Sequence, residues 1–236
     1  MQLIEFSESP ISPVVFHDTL NPALWENNRL RAEVRYKLLY IAKHFAQFLK
    51  VPQLNLRDIT ISGSNAAYGY SDNSDVDLHL VVDIPTDSPE MLELYDAKKN
   101  QYNSKYSITV RDIDVELYVQ DSKQKHHSAG IYSVLNDQWL STPKKVVPKI
   151  SDAEVKRKAR NYSGQINQAL RSNDLNTATK TMADIRRLRQ AGLESGGEYS
   201  VENLAFKLLR SRGTIDKLRR YIDRLQSAEL SLKERT

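Results

Sequence analysis

Leu30, Val34, Leu38, Ile41, Phe45, Phe48 and Leu49 recur at helical spacing, so one face of a long helix ending near Lys50 is apolar and has to be buried. Asn21-Pro22 supplies a capping residue followed by proline, and the reading starts the helix there. Upstream, Pro10 and Pro13 break any period, and residues 1–20 read as irregular. The period then shortens to two. Strands are expected near 56–62 and 75–83, a helix near 88–103 after Pro89, and one long strand near 106–120. The apolar stretch Gly130-Ile131-Tyr132-Ser133-Val134-Leu135, with Trp139, reads as a helix or short segment packed beneath the sheet.

Between Ser141-Thr142-Pro143 and Pro148, proline and basic residues replace apolar periodicity, which marks a boundary. Everything beyond Ser151 reads as helix. Ser151-Asp152-Ala153-Glu154 offers a capping box, with Val155, Ala159, Tyr162, Ile166 and Leu170 on one face. A second helix near 174–191 carries Leu175, Ala178, Met182, Ile185 and Leu188; Gly192 can end it, and Gly196-Gly197 continues the break. Helices near 200–211 and 213–228 follow, joined by loops short enough for antiparallel packing. The expected fold is α/β (α+β): a small mixed sheet with flanking helices in residues 1–142, then a helical domain in residues 143–236.

Composition narrows the classes. The chain has 236 residues, 27% of them charged and 40% hydrophobic, enough for one large domain or two small ones. No apolar run reaches the length of a membrane span, and the amino terminus lacks a signal-peptide pattern, so the expectation is a cytoplasmic protein with no membrane partner. The absence of cysteine excludes disulfides, thiolate catalysis and cysteine-ligated zinc. Charge is unevenly placed: net −6 through residue 142 and net +10 from 143 onward. A basic second half suits a polyanion surface, and it equally suits solvated amphipathic helices.

The candidate chemistry lies at Ile61-Ser62-Gly63-Ser64 and, after a ten-residue gap, Asp75-Val76-Asp77-Leu78. On a strand, Asp75 and Asp77 point to one face while Val76 and Leu78 point to the other. Two convergent carboxylates suit Mg²⁺, which prefers oxygen ligands and bridges them to substrate phosphates. Gly63 lets backbone approach a phosphate closely, and Ser64 offers a hydroxyl and an N–H. A calcium loop fits poorly, because Asp77 stands where such a loop needs glycine.

These residues resemble the signature of the polymerase-beta-like nucleotidyltransferase superfamily, and the resemblance covers roughly residues 56–120. It implies a catalytic palm and a third carboxylate on a later strand. In Arg111-Asp112-Ile113-Asp114-Val115-Glu116-Leu117-Tyr118 the best match is Asp114, with Glu116 as the alternative ligand. The implied activity transfers a nucleoside monophosphate from an NTP, such as ATP, to a hydroxyl acceptor with release of pyrophosphate. Two ions, Mg²⁺ or Mn²⁺, would be held by Asp75, Asp77 and Asp114, and Gly63 and Ser64 would bind the triphosphate. An RNA 3′ end or another nucleotide is the favoured acceptor. A protein or small-molecule hydroxyl, or a non-catalytic nucleotide-binding or nucleic-acid-binding protein of the same fold, is the alternative.

Other residues are weaker candidates. Arg186, Arg187 and Arg189 are the candidate polyanion contacts, though such triplets also solubilise helices. His79 reads as a neighbour of the carboxylates, and His126-His127 as an exposed loop pair. Tyr162 and Tyr199 could stack a base, although packing explains the first and exposure the second more economically.

Overall fold

The computed structural model describes residues 16–51, 54–72, 74–84, 89–124, 128–145 and 151–231. The fold is mixed α/β, and the chain divides into two compact units, one spanning Val14–Val147 and one containing Pro148–Thr236. Among the described residues no helix is long and apolar enough to cross a membrane.

The first unit runs β1 (Trp25–Glu26), β2 (Arg29–Leu30), α1 (Ala32–Leu49), β3 (Leu56–Ser62), β4 (Val76–Val82), α2 (Pro89–Lys105), β5 (Thr109–Val110), β6 (Ile113–Asp121), β7 (Ile131–Ser133) and β8 (Gln138–Ser141). β1 and β2 form a separate hairpin, and the others make a six-stranded sheet in the order β5-β6-β4-β3-β7-β8. β4 and β6 are parallel, and every other pair is antiparallel. Parallel neighbours need a crossover, which α2 supplies. It also closes the sheet edge beside β6, where the Asn103 side-chain amide donates to the Leu117 carbonyl and accepts from the Leu117 N–H, as a neighbouring strand would.

The period-two pattern splits the sheet into two faces. Val76, Leu78, Leu80 and Val82 of β4, Val115 and Leu117 of β6, and Ile59 and Ile61 of β3 are buried with Val34, Leu38, Ile41, Phe45 and Leu49 of α1 in one apolar core. The opposite face carries Ser62, Asp77, His79, Glu116 and Tyr118, so polar chemistry collects there by alternation alone.

Three local expectations change. α1 starts at Ala32 rather than near Asn21, because Asn27 and Asn28 both take positive φ (48° and 60°) and close the two-residue hairpin between β1 and β2. The expected long strand at 106–120 is broken in the same way: Arg111 and Asp112 (φ 53° and 62°) turn β5 back onto β6. The segment after Gly130 forms strands β7 and β8, which extend the sheet; Trp139 of β8 stacks on Trp25 at 4.8 Å, and Tyr132 of β7 meets Trp25 edge-on at 5.0 Å.

The second unit consists of α3 (Asp152–Ser172), α4 (Leu175–Gly196), α5 (Val201–Ser211) and α6 (Thr214–Leu230). Side chains of Ser151, Asp174 and Ser200 accept the backbone N–H groups of Glu154, Thr177 and Asn203, capping the first three helices. Val155, Ala159, Tyr162, Ile166, Met182, Ile185, Leu204, Leu208, Ile215 and Leu218 fill the core. Gly192 does not end α4. A Cβ there would stand 2.7 Å from Glu202 Cβ and 2.9 Å from Ser200 Oγ, so this glycine admits the start of α5, and the helix stops instead at Gly197 with φ 68°.

Candidate metal centre on the open face of the sheet

The register of three strands builds the centre. Asp77 lies opposite Ser62 on antiparallel β3 and opposite Glu116 on parallel β6. Asp75 immediately precedes β4. The result is a half-buried group in which one carboxylate oxygen from each of Asp75, Asp77 and Glu116 lies within 4.8 Å of the others. A Mg²⁺ ion with oxygen bonds of about 2.0–2.1 Å sets adjacent ligands about 3 Å apart and opposite ones about 4 Å apart, so the three would draw together to hold one ion. An all-carboxylate donor set also suits Mg²⁺ or Mn²⁺ better than softer metals.

Asp114 is not part of this group. It is exposed and pairs with Thr109 on the short strand β5. Asp114 and Glu116 share a strand face, so alternation could not separate them. The parallel register does so, by setting Glu116 rather than Asp114 abreast of Asp77.

Gly63 has φ 79° and ψ −163°, a region open essentially to glycine alone. A Cβ there would lie 2.0 Å from Asp77 Oδ2. The glycine therefore serves the carboxylate directly, since it makes the space that Asp77 occupies. Its N–H donates to Ser128 Oγ at 2.9 Å. Ser64 donates its hydroxyl to Ser74 Oγ at 2.9 Å, which ties the turn to the residue before Asp75.

Asn65 is the residue whose importance the sequence reading missed. It is fully buried; its amide nitrogen donates to the carbonyls of Ser74 (3.1 Å) and Asp75 (2.8 Å), and its side-chain oxygen accepts from Asn21 Nδ2 at 2.9 Å. Its own backbone carbonyl accepts from Trp25 Nε1 at 2.7 Å. One side chain thus fixes the backbone at Asp75 from the Gly-Ser turn. Tyr118 was the second omission, though its position two residues beyond Glu116 on the same strand was a usable signal. Its hydroxyl donates to Glu116 Oε2, and its ring stacks on His79 at 5.0 Å, while Lys99 Nζ lies 5.3 Å from the ring centroid. His79 Nε2 in turn meets Ser62 Oγ at 3.0 Å. Burial, followed by the charges of Asp77, Glu116 and Asp75, raises the Tyr118 pKa far above that of an ordinary phenol, so it stays a donor.

The remaining candidates lie elsewhere. Arg189 donates to Asn203 Oδ1 at 2.9 Å and lies over the Phe206 ring at 4.5 Å, so it braces α4 against α5. Arg187 pairs with Asp184 at 2.9 Å on the exposed surface, and Arg186 is exposed. Tyr162 is core, and Tyr199 is half-buried, with burial raising its pKa. His126 and His127 lie outside the described residues. A pocket of about 410 Å³ opens between α3 and α5, lined by Glu154, Arg157, Lys158, Asn161, Val201 and Glu202. Comparison with family models, with curated proteins and with solved structures found no match to this chain.

Proposed function

We propose that this chain is a metal-dependent nucleotidyltransferase of the polymerase-beta-like kind, moving a nucleoside monophosphate from an NTP to a hydroxyl acceptor and releasing pyrophosphate. The observation that carries the reading is the convergence of Asp75, Asp77 and Glu116 against the Gly63-Ser64 turn. In this proposal Glu116 takes the role of third carboxylate that the sequence had given to Asp114.

Asp75, Asp77 and Glu116 would hold Mg²⁺ or Mn²⁺. Such an ion, when bound, supplies charge neutralisation for the triphosphate and lowers the pKa of an acceptor hydroxyl. The protein's own contribution is placement. Asn65 fixes the backbone at Asp75, Gly63 leaves room for the Asp77 carboxylate, and Tyr118 holds Glu116 through its Oε2. Backbone at Gly63-Ser64 would orient the phosphates so that attack on the α-phosphorus is in line. An RNA 3′ end or another nucleotide remains the favoured acceptor, on the charge of the second half of the chain.

Incubating the purified protein with each labelled NTP, Mg²⁺ or Mn²⁺, and total RNA or protein tests the proposal. Label should enter one macromolecule with stoichiometric pyrophosphate. If no NTP is consumed with any acceptor while the protein binds Mg²⁺, the enzymatic reading fails and a binding role for the same carboxylates replaces it.

A further inference from the structure

A second surface, on the far side of the sheet from the carboxylates, has no role in the proposed chemistry. Between residues 34 and 57 the chain carries five Lys and Arg and no Asp or Glu, although the first 142 residues are net acidic. Two of those cations are engaged: Arg35 donates to the carbonyls of Val134 and Leu135, and Arg57 pairs with Asp83. Lys37 and Lys43 on α1 and Lys50 just beyond its end are exposed, and among the described residues none of them is in an ion pair.

The same helix face presents aromatic rings. Tyr36 is 71% exposed and Tyr40 is 59% exposed, where core packing would have hidden them. They are four residues apart, so they stand about 6 Å apart along the helix axis and on one side of it. Lys37 Nζ lies 5.3 Å from the centroid of the Tyr40 ring. At helical spacing, Tyr36, Tyr40, Lys43 and Gln47 form one outward ridge, opposite the buried Val34, Leu38, Ile41 and Phe45.

We propose that this ridge binds single-stranded nucleic acid, with Tyr36 and Tyr40 stacking successive bases and Lys37, Lys43 and Lys50 following the phosphates. Flat rings interleaved with cations are the recognition chemistry of single strands, in which every base offers a π-face. An anionic membrane fits less well, because the ridge has no bulky aliphatic side chain to insert. A paired duplex fits less well too, because its bases are already stacked on each other. The inference does not rest on nucleotidyl transfer, since the ridge and the carboxylates lie on opposite faces of the sheet.

The test is fluorescence anisotropy of a short labelled oligouridylate with the full-length protein at low salt. Tyr36→Ala and Tyr40→Ala should each weaken binding about fivefold or more, while Tyr36→Phe and Tyr40→Phe should bind like the wild type. Lys43→Gln should make log affinity fall less steeply with log salt, by about 0.7. Asp75→Asn should leave binding unchanged, which separates this surface from the carboxylate site. All four positions are exposed or half-buried, and circular dichroism checks that each variant is folded. Wild-type affinity in the double alanine variant would overturn the proposal. So would equal losses for Phe and Ala, no binding at low salt, or binding to phosphatidylserine vesicles that oligouridylate does not displace.

Discussion

Replacing Gly63 by alanine probes the link between the turn and the carboxylates. Its φ of 79° and ψ of −163° cost a non-glycine residue about 1–3 kcal/mol. The added Cβ would lie 2.0 Å from Asp77 Oδ2, and because that oxygen ends a side chain, the carboxylate should swing aside rather than the strand move. Stability should therefore fall by about 2 kcal/mol, a Tm decrease of about 4–8 °C for a chain of this size. Affinity for Mn²⁺ should fall by tenfold or more, about 1.4 kcal/mol, because Asp77 leaves its place beside Asp75 and Glu116. Thermal melts of metal-free protein measure the first effect, and calorimetric titration with Mn²⁺ the second. An unchanged Tm would refute the backbone argument. A lowered Tm with wild-type Mn²⁺ affinity would refute the claim that this glycine makes room for a ligand.

Glu116→Gln should lower Mn²⁺ affinity and turnover at least tenfold, and Asp114→Asn should change both by less than threefold; titration and pyrophosphate release measure this, and a larger loss at Asp114 would restore it as the third ligand. Gly164 in α3 has nothing within 4 Å of an added Cβ, so Gly164→Ala should stabilise by up to about 1 kcal/mol; Gly192→Ala should be worse than that variant by about 1–3 kcal/mol from overpacking against Glu202, and denaturant melts that reversed the order would contradict the packing. The Lys158 ammonium, hydrogen-bonded at 2.9 Å, holds the Glu202 carboxyl below its usual 4.5. A depressed folded-state pKa means that this contribution is complete above pH 4.5 and is lost as pH falls through the folded value; Glu202→Gln should flatten that part of the acid-stability curve, and an unchanged curve would discount the pair.

Much of the architecture was legible because periodicity carries it. The apolar face of α1, the alternation of β4 and the capping residue of α3 are each stated by short runs of sequence. Two of the turns were harder to see. Asn27-Asn28 lies inside an apparent helix, and Arg111-Asp112 lacks the glycine or asparagine that usually signals positive φ. Register was not legible at all. Asp114 and Glu116 satisfy the same alternation, and only the pairing of Asp77 with Glu116 separates them. Asn65 was hidden for a related reason, because its partners are backbone carbonyls nine and ten residues away, a contact that leaves no pattern of residue types. Arg189 shows the converse: a basic triplet legible as a surface contains one side chain whose partners, Asn203 and Phe206, lie on the next helix.

Pyrophosphate release from labelled NTP, in the presence of Mg²⁺ and total RNA, by the wild type and by the Asp75→Ala/Asp77→Ala variant decides whether these carboxylates carry nucleotidyl transfer. Wild-type protein should release pyrophosphate as label enters RNA or another acceptor, and the folded double variant should release none above background. Equal release by the two proteins would contradict the assignment of these carboxylates.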